Sequence, residues 1–81
     1  MTSTPPTRVA VAGAAGRMGE TVCRAVDGAD DLECVARADP ALGVPLSEAL
    51  AASPDVLVDF TVPDTAVVNA REAVAAGVHV V

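Results

Sequence analysis

An α/β fold, in which a parallel β-sheet carries helices on both faces, is predicted by three features of the 81-residue chain. Strand-like and helix-like segments alternate, which is the order of a doubly wound parallel sheet. Hydrophobic residues make up 52% of the chain but Phe60 is its only aromatic residue, so Val, Ala and Leu must form the core. Such side chains suit strands that are buried on both faces. The third feature is a glycine-rich turn that joins the first strand to the first helix.

The element boundaries follow from apolar periodicity and from turn residues. Residues 8–12, RVAVA, alternate between valine and other residues as a strand does, and residues 17–29 are helical because Met18, Val22 and Val26 recur every four positions. The further predicted elements are a strand at 32–38, a short helix at 46–52 with Ser47 as its N-cap, a strand at 56–58, a helix at 63–76 and a strand at 78–81. The predicted order is therefore β-α-β-(α)-β-α-β.

The last long helix and the strand after it bear on the extent of the domain. The helix is predicted to bury Val67, Ala70 and Val74 and to end at Gly77. The chain then stops inside an apolar strand, so we expect it to be the N-terminal half of a Rossmann-type sheet, a fragment of a longer protein. A complete small domain with an edge strand at its terminus is the alternative.

Charge and composition exclude several classes of protein. The net charge of −6 provides no basic surface for nucleic acid or for an anionic membrane. The first residues lack the features of a signal peptide, and no apolar run reaches the roughly 18 residues of a membrane span. Cys23 and Cys34 lack metal-ligand spacing and are predicted to be reduced core residues, while His79 has no catalytic partners. We therefore expect a cytoplasmic protein with no metal site and no nucleic-acid or membrane partner.

The glycine-rich turn lies in residues 9–19, VAVAGAAGRMG, where Gly13, Gly16 and Gly19 are spaced as G-x-x-G-x-x-G. A strand, a glycine turn and a helix together form the phosphate-binding turn of Rossmann-type domains. Gly13 would make the tight turn, Gly16 would let the backbone approach a pyrophosphate, and Gly19 would let helix and strand pack closely. The first helical turn has unpaired N–H groups that favour an anion, and Arg17 would reach a phosphate oxygen.

An acidic residue at the end of the second strand is the usual partner of this turn, because it binds the ribose hydroxyls of a dinucleotide. Asp39 stands at that position, about twenty residues after Gly19. Asp39-Pro40 is also a common turn sequence, so a purely structural role is the alternative. Asp39 implies a preference for NADH, but Arg37 lies on the same side of the strand and would offset a 2′-phosphate. The preference is therefore weak, and both NADH and NADPH stay open as the cofactor.

A second motif, VDFTVPD at residues 58–64, ends the third strand and opens the next helix. Ligands of open α/β sheets bind outside the carboxyl ends of the strands, so Phe60 and Thr61 would project toward the cofactor. Thr61 and Asp64 also match a helix-capping pattern. A cap with a core phenylalanine is therefore the alternative.

VAVAGAAGRMG, Asp39 and VDFTVPD together resemble the N-terminal domain of the 4-hydroxy-tetrahydrodipicolinate reductase family, over residues 8–81. The resemblance implies an NAD(P)-binding domain at 8–81. The opening MTSTPPT at 1–7 has no apolar stretch and is predicted to be a disordered tail. The resemblance also implies that Asp39 binds the adenosine ribose and that Phe60 and Thr61 lie near the nicotinamide half. The residues that would bind the pyrophosphate and adenosine end of NADH or NADPH are Gly13, Ala14, Ala15, Gly16, Arg17 and Met18.

The resemblance further implies a reaction, the reduction of 4-hydroxy-tetrahydrodipicolinate to tetrahydrodipicolinate in lysine and diaminopimelate biosynthesis. In this family a second, C-terminal domain supplies the acid chemistry, the substrate site and the tetramer interface. This chain carries none of these parts, so it offers no catalytic residue of its own. We expect the full-length protein to be a homotetrameric enzyme acting on a small molecule, and the chain alone to have no turnover.

Two other functions remain open on the residues alone. Residues 69–81, NAREAVAAGVHVV, resemble a segment of sugar and inositol dehydrogenases of the Gfo/Idh type, although those carry G-x-G-x-x-G in the turn. Coenzyme A-binding domains and redox-sensing repressors share the fold without being dehydrogenases. Preference for coenzyme A over NADH would identify the coenzyme A class.

Overall fold

The computed structural model describes residues 5–81 and confirms the predicted α/β class. One sheet, in the order β2-β1-β3-β4, contains the parallel strands β1 (Thr7–Ala12), β2 (Leu32–Ala38), β3 (Val56–Asp59) and β4 (His79–Val80). The helices are α1 (Arg17–Asp27), α2 (Leu46–Ala51) and α3 (Pro63–Ala75), with a 3₁₀-helix at Pro40–Leu42. The order of elements along the chain is the predicted one.

Strand β1 begins at Thr7, whose N–H donates to the carbonyl oxygen of Asp31 at 3.0 Å. The tail predicted at residues 1–7 is therefore one residue too long, because Thr7 belongs to the sheet. Residues 1–4 of that predicted tail lie outside the described residues.

The strand order places a topological switch point in the middle of the sheet. The chain passes from β1 to β2 on one side of β1 and then reaches β3 on the other side. Because all three strands run parallel, their carboxyl ends lie at the same edge of the sheet. Open α/β sheets bind ligands at this point. The two motifs from the sequence, one after β1 and one after β3, therefore meet at this edge.

Both faces of β1 are buried against helices. Val11 belongs to a cluster on one face that includes Cys23 of α1. Ala10 belongs to a cluster on the other face that includes Ala49 of α2 and Ala73 of α3. Successive side chains of a strand point to opposite faces, so β1 connects the two clusters. The sheet is thus covered on both sides, which confirms the doubly wound architecture. Across residues 5–81, none of the helices combines the length and the apolar character needed to cross a membrane.

The predicted buried face of α3 is wrong at two of its three residues, the valines, whereas the third, Ala70, is half-buried. Val67 and Val74 are 54% and 69% exposed, whereas Asn69 and Ala73 are buried and Ala66 is half-buried. The side chains toward the sheet still follow helical spacing, but they are alanines and one asparagine. Hydrophobicity alone favoured the valines over this alternative stripe.

The apolar stripe predicted in α1 is confirmed at Val26, which is buried, and at Val22, which packs against the same cluster, but it is wrong at Met18. Met18 is 59% exposed, and the buried residues of α1 are Gly19, Cys23 and Val26. Gly19 has no side chain to hold the helix away from the turn after β1, so this end of α1 packs by its backbone. Met18 is left at the surface as a result.

Two predicted helix caps do not form. Ser47 lies inside α2, whose N-cap is Pro45, and neither α2 nor α3 has a side-chain hydrogen bond at its N-cap. Val62 is the N-cap of α3, one residue after the predicted Thr61. The hydroxyl of Thr61 donates instead to Oδ1 of Asp59 at 2.5 Å, a local hydrogen bond that competes with capping.

Both cysteines are free thiols within the fold. Cys23 is buried and Cys34 is half-buried in the same cluster. Burial raises the pKa of Cys34 above its ordinary value of 9.0, with Cys23 adding to the shift and Arg37 opposing it. The thiol of Cys34 is therefore neutral at pH 7, as expected of a core residue. The described part of the chain holds no group of three or more His, Cys, Asp or Glu side chains able to bind a metal ion.

Arg8 of β1 forms hydrogen bonds with the loop between α2 and β3. Its guanidinium donates to the carbonyl oxygens of Ala52 at 2.6 Å and Ser53 at 3.3 Å. The backbone N–H of Arg8 donates to Oδ2 of Asp55 at 2.9 Å. Ser53 adopts a φ of 55°, a left-handed conformation that costs an L-residue about 1–2 kcal/mol. The arginine contacts hold the loop in this strained form.

Replacing Ser53 with glycine is expected to stabilise the protein. The free energy of unfolding should rise by about 0.5–1 kcal/mol, because the strain that glycine relieves is larger than the cost of the greater entropy it gives the unfolded chain. Ser47→Gly is the matched control, since Ser47 is exposed within α2 and glycine there should lower stability by about 0.5 kcal/mol. Urea unfolding followed by circular dichroism measures both. Equal losses for the two variants would contradict the strain at Ser53.

Candidate functional site

The turn after β1 is built around Gly13, which has a φ of 74°. Its N–H donates to the carbonyl oxygen of Ala38 in β2 at 2.9 Å, and the N–H of Phe60 donates to the carbonyl oxygen of Ala12 at 3.0 Å. A Cβ atom on Gly13 would lie 3.0 Å from the carbonyl carbon of Phe60. Glycine is therefore needed here for its backbone conformation and for space. The turn is tied to β2 on one side and to the segment after β3 on the other.

Gly16 and Gly19 have different surroundings. A Cβ on Gly19 would lie only 2.2 Å from the carbonyl oxygen of Gly13, which confirms the close packing predicted for this glycine. Gly16 is the N-cap of α1, with φ −74° and ψ 168°, a conformation that any residue adopts. Among the described residues, its Cβ would approach Gly13 alone, at 3.4 Å. The fold itself does not require glycine at position 16, and the space beside it is open.

The first turn of α1 presents three N–H groups with no acceptor among residues 5–81, those of Arg17, Met18 and Gly19. No side chain caps this end of the helix. Unpaired N–H groups at a helix N-terminus carry partial positive charge and bind phosphate oxygens. The side chains of Arg17 and Met18 are exposed beside them. Open space at Gly16 and free donors after it together fit a pyrophosphate.

Asp39 joins the end of β2 to the glycine turn. Its Oδ2 accepts the N–H of Ala15 at 3.0 Å and its Oδ1 accepts the N–H of Ala41 at 2.9 Å. Its backbone exchanges two hydrogen bonds with Val44, at 2.9 and 3.2 Å. The carboxylate is therefore held in one orientation. Since a carboxylate offers about four lone-pair positions, it retains capacity for ribose hydroxyls. The structural role and the predicted ribose contact are compatible.

Ala14 and Ala15 do not offer free N–H groups. The N–H of Ala14 donates to Ala38 at 3.3 Å, and that of Ala15 donates to Asp39. The side chain of Ala14 is also buried. Any contact of these two residues with a cofactor would use atoms other than the backbone N–H groups. Their role in cofactor binding stays a prediction.

Asp59 and Asn69 are two positioning residues that the sequence reasoning missed. Oδ1 of Asp59 accepts the N–H of Thr61 at 2.7 Å and its hydroxyl at 2.5 Å, while Oδ2 accepts Nδ2 of Asn69 at 3.2 Å. Asn69 is 8% exposed in the fold. In the sequence, the available signal was a polar residue at helical spacing with Ala66 and Ala73. These bonds orient the Thr61 side chain at the edge of the sheet. Phe60, between Asp59 and Thr61, has a 37% exposed side chain.

A cavity of about 130 Å³ lies at the carboxyl ends of the strands. Its lining includes Gly13, Asp39, Val44, Thr61, Thr65 and Asn69. Asp39 and Thr61 were predicted from separate motifs, and the structure brings them to the walls of one cavity. Arg17, Met18 and Phe60 do not line it. The cavity lies beside the glycine turn and combines apolar walls with a carboxylate and hydroxyl groups, a combination that suits part of a nucleoside.

Comparison with known proteins identifies the family. Residues 7–81 match the family described as dihydrodipicolinate reductase, N-terminus. The chain belongs to this family. The match covers the glycine turn, Asp39 and the segment after β3, and it favours the dihydrodipicolinate reductase family over the other dehydrogenases and coenzyme A-binding domains.

Several curated relatives carry the name 4-hydroxy-tetrahydrodipicolinate reductase. The one from Beutenbergia cavernae is 50% identical over 74 residues, which cover 91% of this chain and 29% of that protein. Those from Nocardia farcinica and Cutibacterium acnes are 43% and 46% identical over 74 residues, 91% of this chain, and 29% and 28% of the respective proteins. The chain thus spans less than a third of the length of these dihydrodipicolinate reductase relatives.

Proposed function

We propose that this chain is the cofactor-binding part of an NAD(P)H-dependent 4-hydroxy-tetrahydrodipicolinate reductase of lysine and diaminopimelate biosynthesis. The observation that carries the proposal is the start of α1, where Gly16 leaves open space in front of the free N–H groups of Arg17, Met18 and Gly19. The names of the relatives support the choice of substrate.

Each part of the site has a proposed task. The pyrophosphate of NADH or NADPH would lie against the turn from Gly13 to Met18, with Arg17 near its oxygens. Asp39 would accept the hydroxyls of the adenosine ribose. Phe60 and Thr61 would lie toward the nicotinamide half, with Asp59 holding Thr61 in place.

The bound nicotinamide would supply the hydride, and the residues of this chain would bind and orient it. The substrate would be a cyclic imine dicarboxylate formed by loss of water from the hydroxylated compound. We further propose that the catalytic acid and the substrate site lie outside this chain, so the chain alone has no turnover. The full-length enzyme is proposed to be a cytoplasmic homotetramer.

Binding and turnover test the proposal together. Calorimetric titration of the intact protein with NADH should give saturable binding, whereas coenzyme A at the same concentrations should give none. The intact protein should oxidise NADH or NADPH only when 4-hydroxy-tetrahydrodipicolinate is present, and residues 1–81 alone should not. Binding of coenzyme A without binding of either nicotinamide dinucleotide would overturn the proposal.

A further inference from the structure

We propose that Met18 is an oxidation site: conversion of its thioether to a sulfoxide weakens cofactor binding, and a bound dinucleotide shields it from the oxidant. The inference rests on the proposed function and adds a means of regulating the same site. Two observations carry it, the exposure of the Met18 side chain and its position at the start of α1.

The thioether of Met18 is open to solvent. Its side chain is 59% exposed, although Val22 and Val26, which follow at intervals of one helical turn, pack in the cluster between α1 and the sheet. Met18 is the sole methionine in the sequence of residues 5–81. An oxidant in solution can therefore reach this sulfur without any opening of the fold, and methionine sulfoxide is the product expected of such contact.

The two thiols of the chain are poorer targets than Met18. Cys23 is buried. Burial raises the pKa of Cys34, so its thiol is protonated at pH 7, and it is the thiolate that reacts with oxidants. Exposure and chemistry thus both favour the methionine.

The position of Met18 links its oxidation to the proposed pyrophosphate site. Side chains of a helix lean toward its N-terminus, and Met18 is the second residue of α1. Its side chain therefore extends along the first turn, where the N–H groups of Arg17, Met18 and Gly19 have no acceptor among residues 5–81. In the proposed function the pyrophosphate lies against these donors, and a dinucleotide bound there would cover the thioether.

Hydrogen peroxide is the proposed oxidant, and the step transfers one oxygen atom. The Met18 sulfur attacks a peroxide oxygen, so that an S–O bond forms and the O–O bond breaks. The hydroxide that leaves takes the proton from the new S–OH group and becomes water. Sulfur is oxidised by two electrons and the peroxide is reduced by two. The sulfoxide oxygen carries partial negative charge, so it repels a nearby phosphate and competes for the free N–H groups.

Peptide mass spectrometry and calorimetry on the intact protein test the inference. Hydrogen peroxide should add one oxygen atom to Met18, and dithiothreitol applied afterwards should reverse disulfides and sulfenic acids but not this product. The treated protein should bind NADH about three- to tenfold more weakly, a smaller effect than the complete loss of one charge-assisted hydrogen bond. A methionine sulfoxide reductase with dithiothreitol should restore the affinity, since it releases the oxygen atom as water while the dithiol becomes a disulfide.

Protection by the cofactor is the second measurement. NADH at about ten times its dissociation constant should slow the oxidation of Met18 about tenfold, because only the unoccupied fraction reacts. Coenzyme A at the same concentration should not slow it. This result depends on the position of Met18 in the site and not on how strongly the sulfoxide weakens binding.

Met18→Leu is the matched control, because leucine keeps an apolar side chain without the thioether. Peroxide followed by dithiothreitol should change the NADH affinity of this variant, whatever its starting value, by less than about twofold. An equal loss of affinity in Met18→Leu would place the effect at another residue and overturn the inference.

The other outcomes separate this inference from the proposed function. No oxidation at Met18, unchanged NADH affinity after its oxidation, or no protection by NADH would each overturn the inference and leave the proposed function standing. If the untreated intact protein binds neither NADH nor NADPH, the proposed function fails and the inference fails with it.

Discussion

Gly16→Val is expected to weaken NADH binding to the intact protein by at least about 100-fold. The added branched side chain would stand in the open space before the free N–H groups of Arg17 and Met18. A pyrophosphate displaced from these donors loses two charge-assisted hydrogen bonds, which contribute about 1.5–3 kcal/mol each. At about 1.4 kcal/mol per factor of ten, this loss corresponds to 100-fold or more.

Stability should hardly change in the same variant. Gly16 has an extended backbone, and a Cβ there approaches the oxygen of Gly13 at 3.4 Å, which is ordinary contact. The free energy of unfolding should therefore change by less than about 1 kcal/mol. Gly16→Ala adds one carbon rather than three and should give an intermediate loss of affinity. Calorimetry measures the affinities, and unchanged NADH affinity in Gly16→Val would refute the phosphate role of this turn.

Gly19→Ala is expected to have the opposite profile, with a large loss of stability. The new Cβ would lie 2.2 Å from the carbonyl oxygen of Gly13 and 2.8 Å from Cα of Ala14. Both neighbours are backbone atoms, so no side-chain rotation relieves the overlap and α1 must move away from the turn. We expect a cost of about 3 kcal/mol, at the upper end of values for overpacked sites. That is a large part of the stability of a chain this size, which is on the order of 4–12 kcal/mol.

Gly28→Ala is the matched control for this variant. Gly28 follows α1, and a Cβ there would meet the carbonyl oxygens of Arg24 and Ala25 at 3.5 and 3.8 Å, which is normal van der Waals contact. Its φ of −85° also suits alanine. The free energy of unfolding should stay within about 1 kcal/mol of the parent value, as measured by denaturant unfolding. Similar losses in the two variants would contradict the close packing at Gly19.

The glycine turn could be predicted because its causes are local. Gly13 is required by its positive φ, and Gly19 is required because α1 starts against the turn. Both requirements arise between residues that are close in the sequence. The position of Asp39 at the end of β2 was predictable for the same reason. Its contact with Ala15 was not, because that hydrogen bond joins residues from two different strand ends.

The packing of α3 shows where sequence reasoning fails. Val67 and Val74 are the most hydrophobic choice for a buried face, yet Asn69 and Ala73 occupy it. On this face Nδ2 of Asn69 donates to Oδ2 of Asp59 at the end of β3, at 3.2 Å. A hydrogen bond between residues of different elements cannot be found from the periodicity of one element.

The sequence by itself determined the α/β class, the order of the elements and the position of the glycine turn, because these depend on periodicity and on glycine at fixed spacing. Only the tertiary structure decided that α3 turns Val67 and Val74 outward, and only it showed Arg37 paired with Asp27. These features depend on distances between side chains of separate elements. The sheet sets such distances when it brings the carboxyl ends of β1, β2 and β3 to one edge.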